Sequence, residues 1–183
     1  LPSEIKSALM TTAVTSTVKE DGVTPTDAFD DGSGRIDLRR SPDPLFTIDE
    51  TAANYVALKS ELFKANYPSL YVPALAGQLT VQRTLKSVSS RTQYYAATVK
   101  ADKGLKVWVS SPVFSLRPGA SRTLSITVDG RDIPLGETRF ATVTFWSGLT
   151  KVTFPVTVVR KQGPVAVEKT CAPDPVRRGA DRR

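Results

Sequence analysis

Apolar and polar residues alternate along most of the chain between residues 78 and 158. In Ser121–Asp129, for example, Leu124, Ile126 and Val128 are each separated by one polar residue. Alternation of this kind predicts β-strands that bury one face and leave the other in water. Arg83 is an exception, because it occupies a position that the pattern assigns to the buried face. The pattern covers residues 78–86, 92–100, 104–110, 121–129, 139–147 and 149–158.

Turn residues separate these segments, at residues 102–104, 118–119, 129–130 and 147–148. About seven short strands divided by such turns predict an antiparallel β-sandwich. The chain has one cysteine, so it lacks the Cys–Trp–Cys pattern of immunoglobulin domains, and the fibronectin type III-like version is favoured. Pro155 lies in the last segment and has no N–H to donate. We expect this strand to lie at a sheet edge, or the proline nitrogen to face away from a partner.

A different pattern occupies the beginning of the chain. Pro2 suits a first helical turn and Glu4 favours its dipole, so a helix is predicted that ends near Ala13. Residues 15–34 contain turn signals and predict a loop. The apolar positions of the predicted helix follow helical spacing at Ile5, Ala8, Leu9 and Thr12.

Charge divides the chain into three parts. Residues 1–52 carry 5 basic and 10 acidic groups, residues 53–159 carry 13 and 5, and residues 160–183 carry 7 and 3. These shifts predict a segment 1–52, a sandwich domain 53–160 and a disordered basic tail 161–183. The first segment has too few apolar residues to fold alone, and we expect it to be poorly packed in isolation.

Composition excludes several classes of function. Histidine is absent, so these residues alone cannot build a Ser-His-Asp or Cys-His catalytic site. The one cysteine, Cys171, cannot form an internal disulfide or a thiolate zinc site. Basic residues of the sandwich are scattered singly, which favours a solvated surface over a nucleic-acid site. No apolar run is long enough to cross a membrane. We therefore assign no catalytic, cofactor-binding or metal-binding residue and no cofactor.

The acidic sequence DAFDDGSGRID, residues 27–37, invites comparison with a calcium loop. An EF-hand loop needs oxygen ligands at positions 3 and 12, where this sequence has Phe29 and Leu38. A turn that uses Gly32 and Gly34 is the favoured interpretation. Asp30 and Asp31 are adjacent loop residues, so a catalytic carboxylate pair is not expected.

Exposed aromatic residues suggest a second kind of site. Trp108 and Trp146 fall on the faces predicted to be wet, and Tyr94 and Tyr95 are two further aromatic residues in the predicted strands. Together they could form a platform for sugars or peptides. The favoured alternative is that they cover the sandwich edge or pack on a neighbouring domain.

Four segments, in order, resemble one family. IKSALMTTA (5–13) and DAFDDGSGRIDL (27–38) resemble the end of the catalytic domain of subtilisin-like serine peptidases, the subtilases. YPSLYVPALAGQLTVQRTLKSV (67–88) is similar to the start of the fibronectin type III-like domain of cucumisin-type subtilases, and FWSGL (145–149) resembles a hairpin near its end. The third segment, together with the residue before it, matches the family pattern at Asn66, Tyr67, Pro68, Ser69, Thr80, Val81, Arg83 and Thr84.

The resemblance implies the C-terminal, non-catalytic region of a secreted, extracellular subtilase. The family's Gly-Thr-Ser-Met-Ala segment with the nucleophile does not occur here, so this chain should be inactive alone. Its expected partners are the subtilase catalytic domain and the peptide substrates of the parent. Residues 1–52 would be the C-terminal remnant of that domain, and the sandwich would brace it, shape substrate access or mediate association. The alternative is a stand-alone module that binds carbohydrate or a cell surface.

Overall fold

Two β-sheets pack face to face in the structure, a computed structural model that describes residues 1–162. One sheet has the order β1-β3-β7-β5 and the other the order β2-β9-β8-β4-β6. The strands of the described residues are β1 (Phe46–Thr47), β2 (Leu70–Leu75), β3 (Gln78–Ser87), β4 (Gln93–Ala101), β5 (Lys106–Val109), β6 (Val113–Leu116), β7 (Ser121–Asp129), β8 (Thr138–Ser147) and β9 (Thr150–Arg160).

The core lies between the two sheets. It is built from the alternate apolar side chains that the sequence pattern assigned to the inner faces, as expected for sandwiches. An aromatic cluster fills one end of this core: Tyr95 stacks on Phe114 with 4.9 Å between ring centroids, and Phe46 meets both Tyr95 and Phe145 edge-on at 5.5 Å. The predicted β-sandwich is therefore confirmed.

Three strands were not among the six predicted segments. β1 has two residues and β6 has four, which is too short for a period to be visible. β2 pairs with β9 in parallel, with Leu70 opposite Val156, so one strand pair departs from the predicted antiparallel arrangement.

Pro155 does not mark a sheet edge. It lies in β9, which has β2 on one side and β8 on the other, so the first of the two expected placements, at a sheet edge, is wrong. β2 begins opposite Val156, one residue after the proline. Pairing on that side therefore starts only where β9 regains its N–H groups.

The first fifty residues pack against the sandwich and also contribute to it. The expectation that they are poorly packed in isolation is therefore wrong for the inner face of α1 and for residues 45–48. Leu45, Phe46 and Ile48 are almost fully buried in its core, ahead of the boundary predicted at residue 52, and the division into domains stays a prediction. The helices are α1 (Pro2–Thr11), α2 (Ala28–Asp31), α3 (Ala52–Leu58) and a 3-10 turn, Leu62–Lys64.

Residues 163–183, which include Cys171 and most of the predicted basic tail, lie outside the described residues. Among residues 1–162, no helix has the length and apolar character needed to cross a membrane.

Candidate functional site

Helix α1 presents two chemically different faces. Its inward face consists of small side chains, and Ser7, Ala8 and Thr11 are all buried. The backbone N–H of Ile48 donates a 2.8 Å hydrogen bond to Ser7 Oγ, which joins the helix to the residue that follows β1. Thr153 of β9 donates to the carbonyl oxygen of Thr11 at 3.5 Å. The helix therefore contacts both sheets of the sandwich through small and polar groups.

Charged residues reinforce this attachment at the surface. Lys86 of β3 lies 3.0 Å from the Glu4 carboxylate, and this hydrogen bond is the main reason that the pKa of Glu4 is lowered. The Lys6 ammonium lies 4.6 Å from the centroid of the Tyr67 ring. Exposed pairs of this kind add little stability, so the buried contacts of α1 are its main attachment.

The opposite side of α1 exposes its larger apolar residues. Ile5 is 62% exposed and Ile36 beside it is 57% exposed, while Leu9 and Met10 are half-buried. They border an open cleft of about 530 Å³. We call this the outer apolar face, and it consists of Ile5, Leu9, Met10 and Ile36. Extended apolar surfaces on proteins often mark sites of contact with other proteins, membranes or ligands.

The acidic segment 27–34 forms a capped turn, as predicted. Asp27 caps α2 by accepting from the N–H groups of Phe29 and Asp30, and Asp31 accepts from the Thr26 hydroxyl at 2.8 Å. Gly34 has φ of 107°, and a Cβ there would lie 2.3 Å from the Val14 carbonyl oxygen, so no other residue fits.

The carboxylates of this segment are engaged by neighbouring donors. Asp30 accepts from the backbone N–H of Asp27 at 3.0 Å and lies 3.0 Å from the Lys19 ammonium, and its pKa is lowered, mainly by the Asp27 hydrogen bond. Among residues 1–162, no group of three or more histidine, cysteine, aspartate or glutamate side chains could hold a metal ion. The arrangement is that of a structural turn.

Phe29 attaches this turn to the five-stranded sheet. Its ring packs edge-on against Tyr71 of β2 at 5.9 Å between centroids and against Phe140 of β8 at 5.5 Å. These partners are on the outer face of the sheet. Residues 27–34 thus form a second attachment of the N-terminal segment to the sandwich.

The four aromatic residues singled out in the sequence do not form one platform. Tyr95 is buried in the core, whereas Tyr94, Trp108 and Trp146 are exposed. Trp108 lies in β5 and Trp146 in β8, which belong to different sheets. Tyr94 lies in β4, next to β8, so only Tyr94 and Trp146 share a face.

Sequence reasoning missed the role of Arg83, which is 2% exposed. Its guanidinium donates to the carbonyl oxygens of Phe63, Tyr67, Ser69 and Gln82, at 2.8–3.2 Å. Burial lowers its pKa to about 10. The signal in the sequence was the charged residue at a core position, but three of its four carbonyl partners come from residues 63–69, whose path the pattern does not predict.

These features define a β-sandwich domain with an attached helical segment that offers an apolar contact surface. A family model described as a fibronectin type-III domain matches residues 64–158, and the chain belongs to this family.

Curated relatives point to a larger kind of protein. The subtilisin-like protease SBT2.5 of Arabidopsis thaliana is 29% identical over 173 residues, which cover 72% of this chain and 21% of that protein. SBT2.6 of the same plant is 29% identical over 195 residues, covering 85% and 23%. The chain therefore spans less than a quarter of the length of these relatives. The resemblance to the C-terminal, fibronectin type III-like region of subtilases is confirmed.

The similarity to solved structures is weak. The FixG-related protein from Vibrio parahaemolyticus is 11% identical, with a TM-score of 0.39 over 46% of this chain and 79% of that chain. No statement about function follows from a likeness of this size.

Proposed function

We propose that this chain is the non-catalytic C-terminal region of a secreted subtilisin-like serine endopeptidase and that it braces the catalytic domain. In this proposal the outer apolar face of α1 packs against that domain, while the sandwich holds α1 from the other side. The parent enzyme would hydrolyse peptide bonds with a serine, histidine and aspartate that lie outside this chain.

The observation that carries the proposal is the orientation of α1. A helix lying on a finished domain would turn its large apolar residues inward, because their burial contributes most to stability. Here Ser7 and Thr11 face the sandwich and Ile5 faces outward. This orientation is expected of a helix that lies between two domains and packs its larger apolar side chains against the second domain, here the proposed catalytic domain.

The attachments described above supply the bracing. The Ser7–Ile48 hydrogen bond and the Phe29 contacts join the N-terminal segment to different sheets of the sandwich. Because the N-terminal segment is fixed to the sandwich at two separate places, it offers a rigid surface to a domain that packs on its outer side. The sandwich would therefore stabilise the catalytic domain without contributing a reacting group.

The test uses the full-length protease that this proposal implies. Ile5→Asp combined with Leu9→Asp should lower the melting temperature of the catalytic unit and increase its loss of peptidase activity on warming, because two charges would be buried unpaired at the interface. Leu135→Asp is the matched control, since Leu135 is 61% exposed and belongs to the sandwich. A double variant as stable as the control would overturn the proposal.

A further inference from the structure

A second cleft lies where the N-terminal segment meets the turn between β8 and β9. It has a volume of about 370 Å³ and is open to solvent. Arg39, Arg40 and Asp43 line one side, and Trp146, Leu149 and Lys151 line the other. We call it the hairpin cleft. Ligand sites are common at such junctions between two parts of a fold.

Two hydrogen bonds and a cation–π contact hold the floor of this cleft in place. The indole N–H of Trp146 donates to Thr98 Oγ1 at 3.1 Å, which fixes the plane of the ring. Lys151 places its ammonium 5.4 Å from the Trp146 ring centroid. Arg40 donates to the Lys151 carbonyl oxygen at 2.7 Å, so this guanidinium bridges the two sides.

The lining combines positive charge with apolar surface. Three cations, Arg39, Arg40 and Lys151, outnumber the single carboxylate, Asp43. The Arg39 side chain is 92% exposed, and its nearest carboxylate, Asp37, lies 3.4 Å away at the edge of hydrogen-bond range. Leu149 is fully exposed at the tip of the β8–β9 hairpin, and Trp146 is 38% exposed.

We propose that the hairpin cleft binds an acidic peptide segment of another protein that also carries an apolar side chain. Carboxylates of the peptide would meet Arg39, Arg40 and Lys151, which offer charge-assisted hydrogen bonds. The apolar side chain would lie on Trp146 and Leu149, since an aromatic ring and an exposed aliphatic group are the anchors that protein interfaces use. A small inorganic anion would leave that apolar surface unused. This site does not depend on docking to a catalytic domain.

The test measures binding of a fluorescein-labelled decapeptide of alternating glutamate and leucine to the purified chain, by fluorescence anisotropy at low salt. The control probe replaces every glutamate with glutamine. Saturable binding of the acidic peptide, weakened at least about fivefold by raising the salt concentration to 0.3 M, is expected for a site governed by charge. Equal binding of the glutamine peptide, or no saturation below 1 mM, would overturn the proposal.

Variants locate the binding. Trp146→Ala and Arg39→Ala should each weaken binding about three- to tenfold. Trp108→Ala and Lys103→Ala are matched controls, because Trp108 is exposed on the other sheet and Lys103 is exposed in the turn at the far end of β4. Both variants should stay within about twofold of the original chain. Equal losses in variants and controls would contradict the assignment. Sedimentation of the chain without peptide must show a monomer, since self-association abolished by Arg39→Ala would assign the cleft to a second copy instead.

Discussion

The backbone N–H of Ile48 donates a hydrogen bond of 2.8 Å to the side-chain oxygen of Ser7, forty-one residues earlier in the chain. Both residues are buried, at 2% and 1% exposure. This bond ties the inward face of α1 to the entrance of the sandwich. Loss of this bond should weaken the packing of the whole N-terminal segment on the sandwich.

Ser7→Ala should therefore destabilise the chain by about 1–3 kcal/mol, because a buried N–H would lose its acceptor. Urea unfolding of the purified chain measures the change. Ser115→Ala, at an exposed position of β6, is the matched control and should change the free energy of unfolding by less than about 0.5 kcal/mol. Equal effects of the two substitutions would show that Ser7 does not carry this attachment.

Phe29→Ala should weaken the second attachment. The two edge-on aromatic contacts, with Tyr71 and Phe140, are each expected to contribute about 0.5–1.5 kcal/mol beyond the area they bury. A double-mutant cycle with Tyr71→Leu isolates one of them by urea unfolding. Val23→Ala, in the same segment and 79% exposed, should have little effect. A coupling energy of zero between Phe29 and Tyr71 would contradict the packing described.

Arg83 should tolerate neither methionine nor lysine. Methionine would leave several carbonyl oxygens without donors, and lysine would supply a single ammonium where the planar guanidinium serves carbonyls of Phe63, Tyr67 and Ser69 at once. Each substitution should cost about 3 kcal/mol or more of unfolding free energy. Arg91→Lys, at an exposed position, is the control. A stable Arg83→Met chain would mean that hydrophobic packing replaces the hydrogen bonds.

Acid should weaken the sandwich partly through Asp129. Hydrogen bonds from Arg131 lower the pKa of this carboxyl group to about 2, from an ordinary value of 3.8. Because the folded-state pKa is depressed, the carboxylate stabilises the fold fully above the ordinary value and loses this effect as the pH falls through about 2. Urea unfolding of the original chain and of Asp129→Asn should differ most near neutral pH and converge near pH 2. A difference that stays constant with pH would contradict this assignment.

The sandwich could be predicted from the sequence because each long strand buries one face. Apolar and polar residues therefore alternate along it with a period of two. It could not predict β1, whose two residues are placed by their pairing with β3. The parallel pairing of β2 could not be predicted either, since periodicity shows which face of a strand is buried and not the direction of the neighbouring strand. Arg83 broke the pattern because carbonyl oxygens from a distant irregular segment satisfy its charge inside the core.

The orientation of α1 shows a different limit. Helical spacing identified Ile5, Ala8, Leu9 and Thr12 as one face, yet Ala8 and Thr12 are buried while Ile5 is 62% exposed. Apolar positions in a sequence show that a helix surface is buried, but they do not show which neighbouring domain buries it. A helix that lies between two domains therefore has apolar residues on both of its faces. Only the structure shows which of these residues contacts which domain.

The central claim is that the outer apolar face of α1 is covered by a subtilase catalytic domain, and thiol labelling tests it most directly. Ile5→Cys is introduced into a Cys171→Ser background, both in this chain and in the proposed full-length protease. Maleimide should label the cysteine rapidly in the chain alone and at least about tenfold more slowly in the protease, where the contact buries it. A cysteine at Leu135 should react quickly in both. Equally rapid labelling of residue 5 in the folded, active protease would contradict the account.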